Sequence, residues 1–284
     1  MILLIDAGNT RVKFDWLTPG TLQRKATPLI LEHAELPALA TRLDGTPHCI
    51  LGSNVAGHPV REALEDACQT AWHLPIHWRG ALDGHDRLHN GYRTPGQLGA
   101  DRWLGLLGLL HHVRDDPDWQ AGAPCMLASF GTATTIDTLA WQHPACGTHQ
   151  PAFVGGLILP GAALMARSLY QDTADLPLAR GEPTDFPTDT DAAIISGIAA
   201  AQAGALLRQY RLAAATCPDR PPLLFVSGGD WPRVQAELCA ALHRAGAAEP
   251  RWLDSPVLDG LATLAARDPA CLTPPASGKQ SPTR

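Results

Sequence analysis

"LIDAGNTR" (residues 4–11) runs a short apolar strand straight into an acid, a glycine and two small polar residues, with a cation closing the turn. Glycine lets the backbone approach a ligand closely, and the small polar residues offer N–H and hydroxyl donors to phosphate oxygens. Asp6 at the strand end suits a magnesium ion held directly or through water, and Arg11 and Lys13 add positive charge. A plain hairpin uses the same residues, because Gly-Asn is ordinary turn chemistry. A second copy tips the balance toward phosphate: "LASFGTAT" (127–134) has the same form, with Ser129 in the acid's place and Thr135 following. A third glycine turn, Gly228-Gly229, offers bare backbone to a base or ribose. Three separated loops of this kind suit a nucleotide lying between two domains.

Working outward, strand and helix patterns alternate on both sides of "RDDPDWQAGAP" (114–124), a Pro-, Asp- and Gly-rich stretch that reads as a linker. Before it come strands at 2–6, 12–17 and 48–57 and helices around 33–43 and 59–72. Trp103, Leu106, Leu107 and Leu110 lie at helical spacing, predicting an amphipathic helix that begins just after Pro95-Gly96. After the linker come a strand-like run at 125–129, an extended run at 134–140, an apolar, glycine-punctuated stretch at 153–161 and, at 222–230, a buried strand entering a glycine turn. Residues 188–215 read as one long helix with Thr190 or Asp191 as its N-cap, and Gly197 and Gly204 on it point to close packing against a neighbour. The segment from Asp268 is Pro- and Ser-rich and reads as a disordered tail. The two similar openings, one per half, point to a duplicated α/β architecture.

The 284 residues are enough for two modest domains around a cleft. A formal charge of −6 with no Lys/Arg run argues against a nucleic-acid partner. The start has no cationic n-region, and no uninterrupted apolar run reaches the ~20 residues needed to span a bilayer. The expectation is therefore a cytoplasmic protein without a membrane partner. Seven dispersed cysteines with no C-x-x-C pair read as thiols rather than a disulfide framework. The twelve histidines, His85/His89 and His111/His112 among them, lack carboxylates or cysteines at ligand spacing and read as surface residues.

"YRTPGQLGADRW" (92–103) places Asp101 and Arg102 in the first turn of the amphipathic helix, beside the Trp103 that heads its buried stripe. Both then project from the rim of the core. A carboxylate there can accept a hydroxyl proton, and a guanidinium can grip a substrate carboxylate or a transferring phosphoryl group. The plain alternative is an acid favouring the helix dipole beside a solvated arginine.

These segments together resemble the type III pantothenate kinases of the acetate/sugar-kinase and actin superfamily. "DAGNTRVK" (6–13) is similar to the family's first phosphate loop, "NGY" (90–92) with "PGQLGADRW" (95–103) to its substrate and catalytic segment, and "FGTATTID" (130–137) to its second phosphate loop. "GGLILPG" (155–161), "TADLP" (173–177), "ISGI" (195–198) and "SGG" (227–229) follow in the family's order, so the resemblance covers nearly all of residues 1–265.

The resemblance implies a two-domain actin-like fold of duplicated, ribonuclease-H-like halves with nucleotide in the cleft: an N-terminal half at 1–114, a C-terminal half at 115–267, then the tail at 268–284. It implies ATP-dependent phosphorylation of pantothenate, the first step of coenzyme A synthesis. By it Asp6, Ala7, Gly8, Asn9, Thr10, Arg11, Val12 and Lys13 line the ATP phosphates, Asp6 serves magnesium, and Thr132 reaches the nucleotide. Asp101 becomes the proton acceptor, with Tyr92, Gly99, Ala100, Arg102 and Thr173 on pantothenate. The family is dimeric with the pantothenate pocket at the interface, so Thr173 is expected from the partner chain, and the 188–215 helix is the expected packing surface.

One position departs from the family. Where many members carry an acid that supports a bound potassium ion, this chain has Ser129, so the expected K⁺ or NH₄⁺ site is weakened. Two rivals share the phosphate loops: another small-alcohol kinase or phosphatase of the superfamily, and a regulatory protein that binds nucleotide without turning it over. The G-A-D-R element after N-G-Y distinguishes the first, and the intact Asp6 and Asp101 count against the second.

Overall fold

The same scaffold is built twice. The computed structural model describes residues 1–25, 27–84, 88–142 and 150–272. Its first sheet has β1 (Ile2–Ala7), β2 (Arg11–Leu17), β3 (Leu29–Glu32), β4 (Cys49–Asn54) and β5 (His77–Trp78), in the order β3-β2-β1-β4-β5. The second has β6 (His89–Asn90), β7 (Cys125–Phe130), β8 (Ala133–Gln142), β9 (Gln150–Pro160), β10 (Leu223–Ser227) and β11 (Arg251–Trp252), in the order β11-β10-β7-β8-β9-β6. In each, a three-strand antiparallel meander is followed by two strands added parallel to its first member. The duplication is therefore carried by five strands per half. Asp6 faces Lys13 and Ser53 across its neighbours, and the equivalent Ser129 faces Thr135 and Ser227.

Strand parity then decides what faces what, because successive side chains point to opposite sheet faces. The helices are α1 (Leu39–Arg42), α2 (His58–Trp72), α3 (Ala100–Val113), α4 (Pro117–Gln120), α5 (Ala162–Asp172), α6 (Thr190–Thr216), α7 (Trp231–Arg244), α8 (Pro256–Ala265) and α9 (Pro269–Leu272). Leu3, Ile5 and Ala7 pack with Leu39, Leu64 and Cys68 on the outer face of the first sheet, while Ile2 and Leu4 pack with α3 and α8. In β7, Cys125 and Leu127 also join α3 and α8, while Met126, Ala128 and Phe130 pack with α6 and α7. The chain thus stacks helix, sheet, helix pair, sheet, helix, and Asp6 and Ser129 inherit the side on which α3 lies.

The central pair crosses closely. A Cβ at Gly108 would collide with the Pro256 carbonyl, and one at Gly260 with the Leu104 carbonyl, so both crossings require glycine. Because α3 lies between two sheets it is buried nearly all round, from Arg102 to Leu110, rather than along one stripe.

Several expectations change. Asp189, not Thr190 or Asp191, caps α6, its carboxylate accepting from Ala192 N at 2.8 Å. Gly197 and Gly204 face open space within this chain, so no neighbouring backbone of the chain packs on them. The presumed linker holds α4, with Trp119 buried and Asp116 capping it while pairing with Arg251. Cys49 and Cys271 form a disulfide across 222 residues of sequence, because α9 folds back against the start of β4; the thiol expectation fails for these two, and Cys68, Cys125, Cys217 and Cys239 are free. The tail expectation accordingly fails at 268–272, where Asp268 also pairs with Arg79; the rest of the tail lies outside the described residues, as does His85. Helix α6 is long and apolar enough by composition to cross a membrane. Its Ile194, Ile198, Ala203 and Leu206 are instead packed into the second core.

Candidate active site

Both glycine turns are closed by a bond from the glycine N–H, the second being one residue shorter: Gly8 N donates to Arg11 O at 3.0 Å, and Gly131 N to Ala133 O at 3.1 Å. Their tips meet, with Thr10 Oγ1 2.8 Å from Thr132 Oγ1. Behind the second turn, Gly161 N donates to Thr132 O at 2.9 Å, and Asp230 N, from the turn after β10, donates to Phe130 O at 3.0 Å. Gly228, with φ +102°, lies so close to Phe130 that a side chain there would strike its backbone. The third glycine turn is thereby locked onto the second.

Asp101 sits in the first turn of α3, its Oδ1 accepting from Arg102 N at 2.8 Å. A Cβ at Gly99 would come within 2.7 Å of that oxygen, which explains the glycine before the acid. Asp101 and Asp6 are near enough to repel. The Asp6 carboxyl is pushed up to about 6 by burial first, with Lys13 pulling it down and the Asp101 charge adding to the rise. Burial also raises Asp101, against a backbone hydrogen bond and the charge of Arg102. Lys13 lies opposite Asp6 in β2 and reaches Ser255 Oγ at 3.5 Å.

Arg102 differs from its expectation. It is buried, not on a rim, because the first turn of α3 packs on β8 and β9. Its Nε donates to both oxygens of Asp137 (3.2 and 3.1 Å), its Nη2 to Asp137 Oδ1, and its Nη1 to Tyr92 Oη at 2.7 Å. Burial alone lowers an arginine, but the Asp137 carboxylate and Tyr92 hold this one above its ordinary value. Tyr92 stacks on Phe153 at 5.4 Å between centroids. Asp137 and Phe153 had no role in the sequence reading. Asp137 was visible as the last residue of "FGTATTID", but only the packing of α3 on β8 brings it to Arg102.

Thr173 caps the end of α5 and donates to Leu169 O at 2.6 Å; among the described residues nothing joins it to the Asp101 group. Ser129 is the penultimate residue of β7, beside Ser227.

The donor set can be tested against a divalent ion. No group of three His, Cys, Asp or Glu residues among the described residues could hold one by itself. Yet the Asp6 carboxylate takes part in no hydrogen bond among them, and two buried hydroxyls, Ser53 Oγ beside it and Thr134 Oγ1 in the second loop, have no partner. Uncompensated polar groups on both loops fit a phosphate–metal group that brings its own ligands.

The family model for type III pantothenate kinases matches residues 2–212. The chain belongs to that family. A type III pantothenate kinase of Bordetella petrii is 47% identical over 281 residues, covering 96% of this chain and all of the relative. One from Bordetella pertussis is 44% identical, covering 94% and 98%. One from Azoarcus is 39% identical, covering 97% and 94%. Among solved structures, a Campylobacter jejuni protein named for the Baf family of transcriptional activators aligns with TM-score 0.53 at 16% identity, covering 94% of this chain and 98% of that one. At that identity the likeness speaks for the fold alone. The fold is the two-domain actin-like one expected for type III pantothenate kinases.

Proposed function

We propose that this chain transfers the terminal phosphoryl group of ATP to the primary hydroxyl of pantothenate, with Asp101 as the group that orients the hydroxyl and takes its proton. The observation that carries this reading is that Asp101 lies near enough to Asp6 to raise its pKa, while the turn that follows Asp6 is joined to the second glycine turn through Thr10 and Thr132. Phosphoryl transfer has a loose transition state, so the protein mainly positions the reactants and neutralises charge. The substrate oxygen bonds to phosphorus as the bond to ADP breaks, and its proton passes to Asp101. Residues Asp6 to Lys13 and Thr132 hold the phosphates, and Lys13 supplies positive charge. A magnesium ion bound to the nucleotide would neutralise the developing charge, with Asp6 as its protein partner through water.

On the substrate side, Tyr92, Gly99, Ala100 and Arg102 shape the pantothenate pocket. A homodimer completes it. Support comes from large apolar side chains left exposed on β9, α5 and the following segment (Ile158, Leu164, Tyr170, Leu178, Phe186), with Thr173 among them in sequence. The open faces of Gly197 and Gly204 on α6 offer a second region for the partner. Ser129 gives the site no charge for a monovalent cation, so the reaction depends less on K⁺ or NH₄⁺. A cytoplasmic setting suits a kinase that draws on ATP and feeds coenzyme A synthesis.

The test is a coupled ADP-release assay with and without pantothenate. Pantothenate-dependent ADP is expected. Hydrolysis indifferent to pantothenate points to another enzyme of the fold, and absence of turnover points to a nucleotide-binding regulator.

A further inference from the structure

Among the buried acids that the mechanism above does not use, Asp137 on β8 is 2% exposed and adjoins the site. Its carboxylate engages two of the three nitrogens of Arg102, and the third is directed at Tyr92 Oη. The guanidinium also lies against the stacked pair of rings, 5.7 Å from the Tyr92 centroid and 5.6 Å from that of Phe153. An arginine held along its edge by a carboxylate and against two rings is not free to wrap a bidentate fork around a substrate.

The backbone is shaped for this pair. Gly156 lies opposite Asp137 in the β8–β9 register, and a Cβ there would collide with Asp137 Oδ1 and come within 2.9 Å of Arg102 Nη2. Asp101, meanwhile, is the neighbour of Arg102 in sequence and the alternative anion for its charge. The Arg102 side chain makes no hydrogen bond to Asp101, whose Oδ1 accepts only from backbone. Two carboxylates compete for one cation, and the geometry gives it to Asp137.

We propose that Asp137 is a positioning residue: by holding Arg102, it keeps that guanidinium off Asp101 and fixes the Tyr92 hydroxyl at the substrate pocket. This rests on the reading of Asp101 and Tyr92 given under the proposed function. Asp137 lies in the second phosphate-loop strand, so it also registers the catalytic turn of α3 against the C-terminal sheet. Without its charge, Arg102 turns to the remaining carboxylate, and Asp101 loses both its freedom and its aim.

The test is steady-state ADP release by D137N with ATP and pantothenate varied separately, rates normalised to folded protein by near-ultraviolet circular dichroism. A misplaced catalytic group costs on the order of 10- to 100-fold in kcat, and the KM for pantothenate is expected to rise about tenfold while that for ATP stays within about twofold. A purely structural role would lower the folded fraction and leave the normalised constants alone. Folded D137N with normal constants, or with both KM values rising together, overturns the proposal. Should D137N not fold, G156A answers instead, since it keeps every charge while its Cβ intrudes on the pair and on the Ile136 carbonyl; the same one-sided rise is expected, and normal constants overturn the proposal equally. If wild-type protein shows no pantothenate-dependent ADP release, the functional reading fails and takes this inference with it.

Discussion

Thr10 and Thr132, 122 residues apart in sequence, share a hydrogen bond of 2.8 Å between their hydroxyls, so the two glycine turns touch. The contact is solvent-exposed and is worth about 0.5–1 kcal/mol. On the proposed function, nucleotide phosphates entering between the turns have to replace it. T10A and T132A should therefore show a coupling energy of that size in a double-mutant cycle on thermal stability without nucleotide, and the coupling should vanish with ATP bound. Equal coupling in both states would mean that the turns do not part around the nucleotide.

Asp101 is expected to matter for chemistry far more than for nucleotide binding. D101N keeps the shape of the turn and the oxygen that accepts from Arg102 N. Loss of a general base typically costs about 10²–10⁴ in kcat. Calorimetric affinity for a non-hydrolysable ATP analogue should stay within about threefold of wild type. An unchanged kcat would remove Asp101 from the mechanism.

Asp6 gives the unliganded protein a defined pH signature. Burial first, then the Asp101 charge, raises its pKa from an ordinary 3.8 to about 6, with Lys13 opposing. Between those two values the unfolded chain has released the proton while the folded chain keeps it. Stability therefore falls as pH rises through that window and levels off above about 6. D6N removes the slope and should stabilise the nucleotide-free protein at neutral pH by on the order of 1–2 kcal/mol, allowing for the edge of Asp6 that water reaches. Chemical denaturation of both proteins from pH 4 to 8 measures this, and parallel curves would contradict it. Because Asp6 and Asp101 interact, the acid limb of the rate profile belongs to the pair.

Ser129 and Asp6 occupy equivalent places in the two sheets, one neutral and one ionisable. Removing K⁺ and NH₄⁺ should change the wild-type rate by less than about threefold, whereas S129D should acquire a stronger dependence on them. Collapse of the wild-type rate in sodium-only buffer would show that another group supplies the charge.

These sites differed in how openly the sequence displayed them. The turns at Asp6–Lys13 and Gly131–Thr135 were legible as turns because each is a glycine-containing hairpin set by neighbouring residues. The internal repeat showed only a few residues of likeness, yet the hydrogen-bonding order preserves it across five strands. The place of Asp101 in a first helical turn was also legible, since a helix start is a local feature. Arg102 was misread as a rim residue because its surroundings are set by an acid 35 residues away on a strand of the second sheet. Thr173 remains a proposal for the partner's pocket, its own hydroxyl being held at the end of α5.

By itself the sequence determined which residues can bind phosphate and which can take a proton, together with the strand parity that sends Asp6 and Ser129 to the same side of their sheets. Those properties depend on neighbours a few positions away. Only the tertiary structure decided that Arg102 belongs to Asp137, that the turns meet at their threonines, and that Cys271 returns to Cys49. Each of these is a contact between distant segments, fixed by how α3 and α8 are clasped between the two sheets, and no local pattern encodes that clasp.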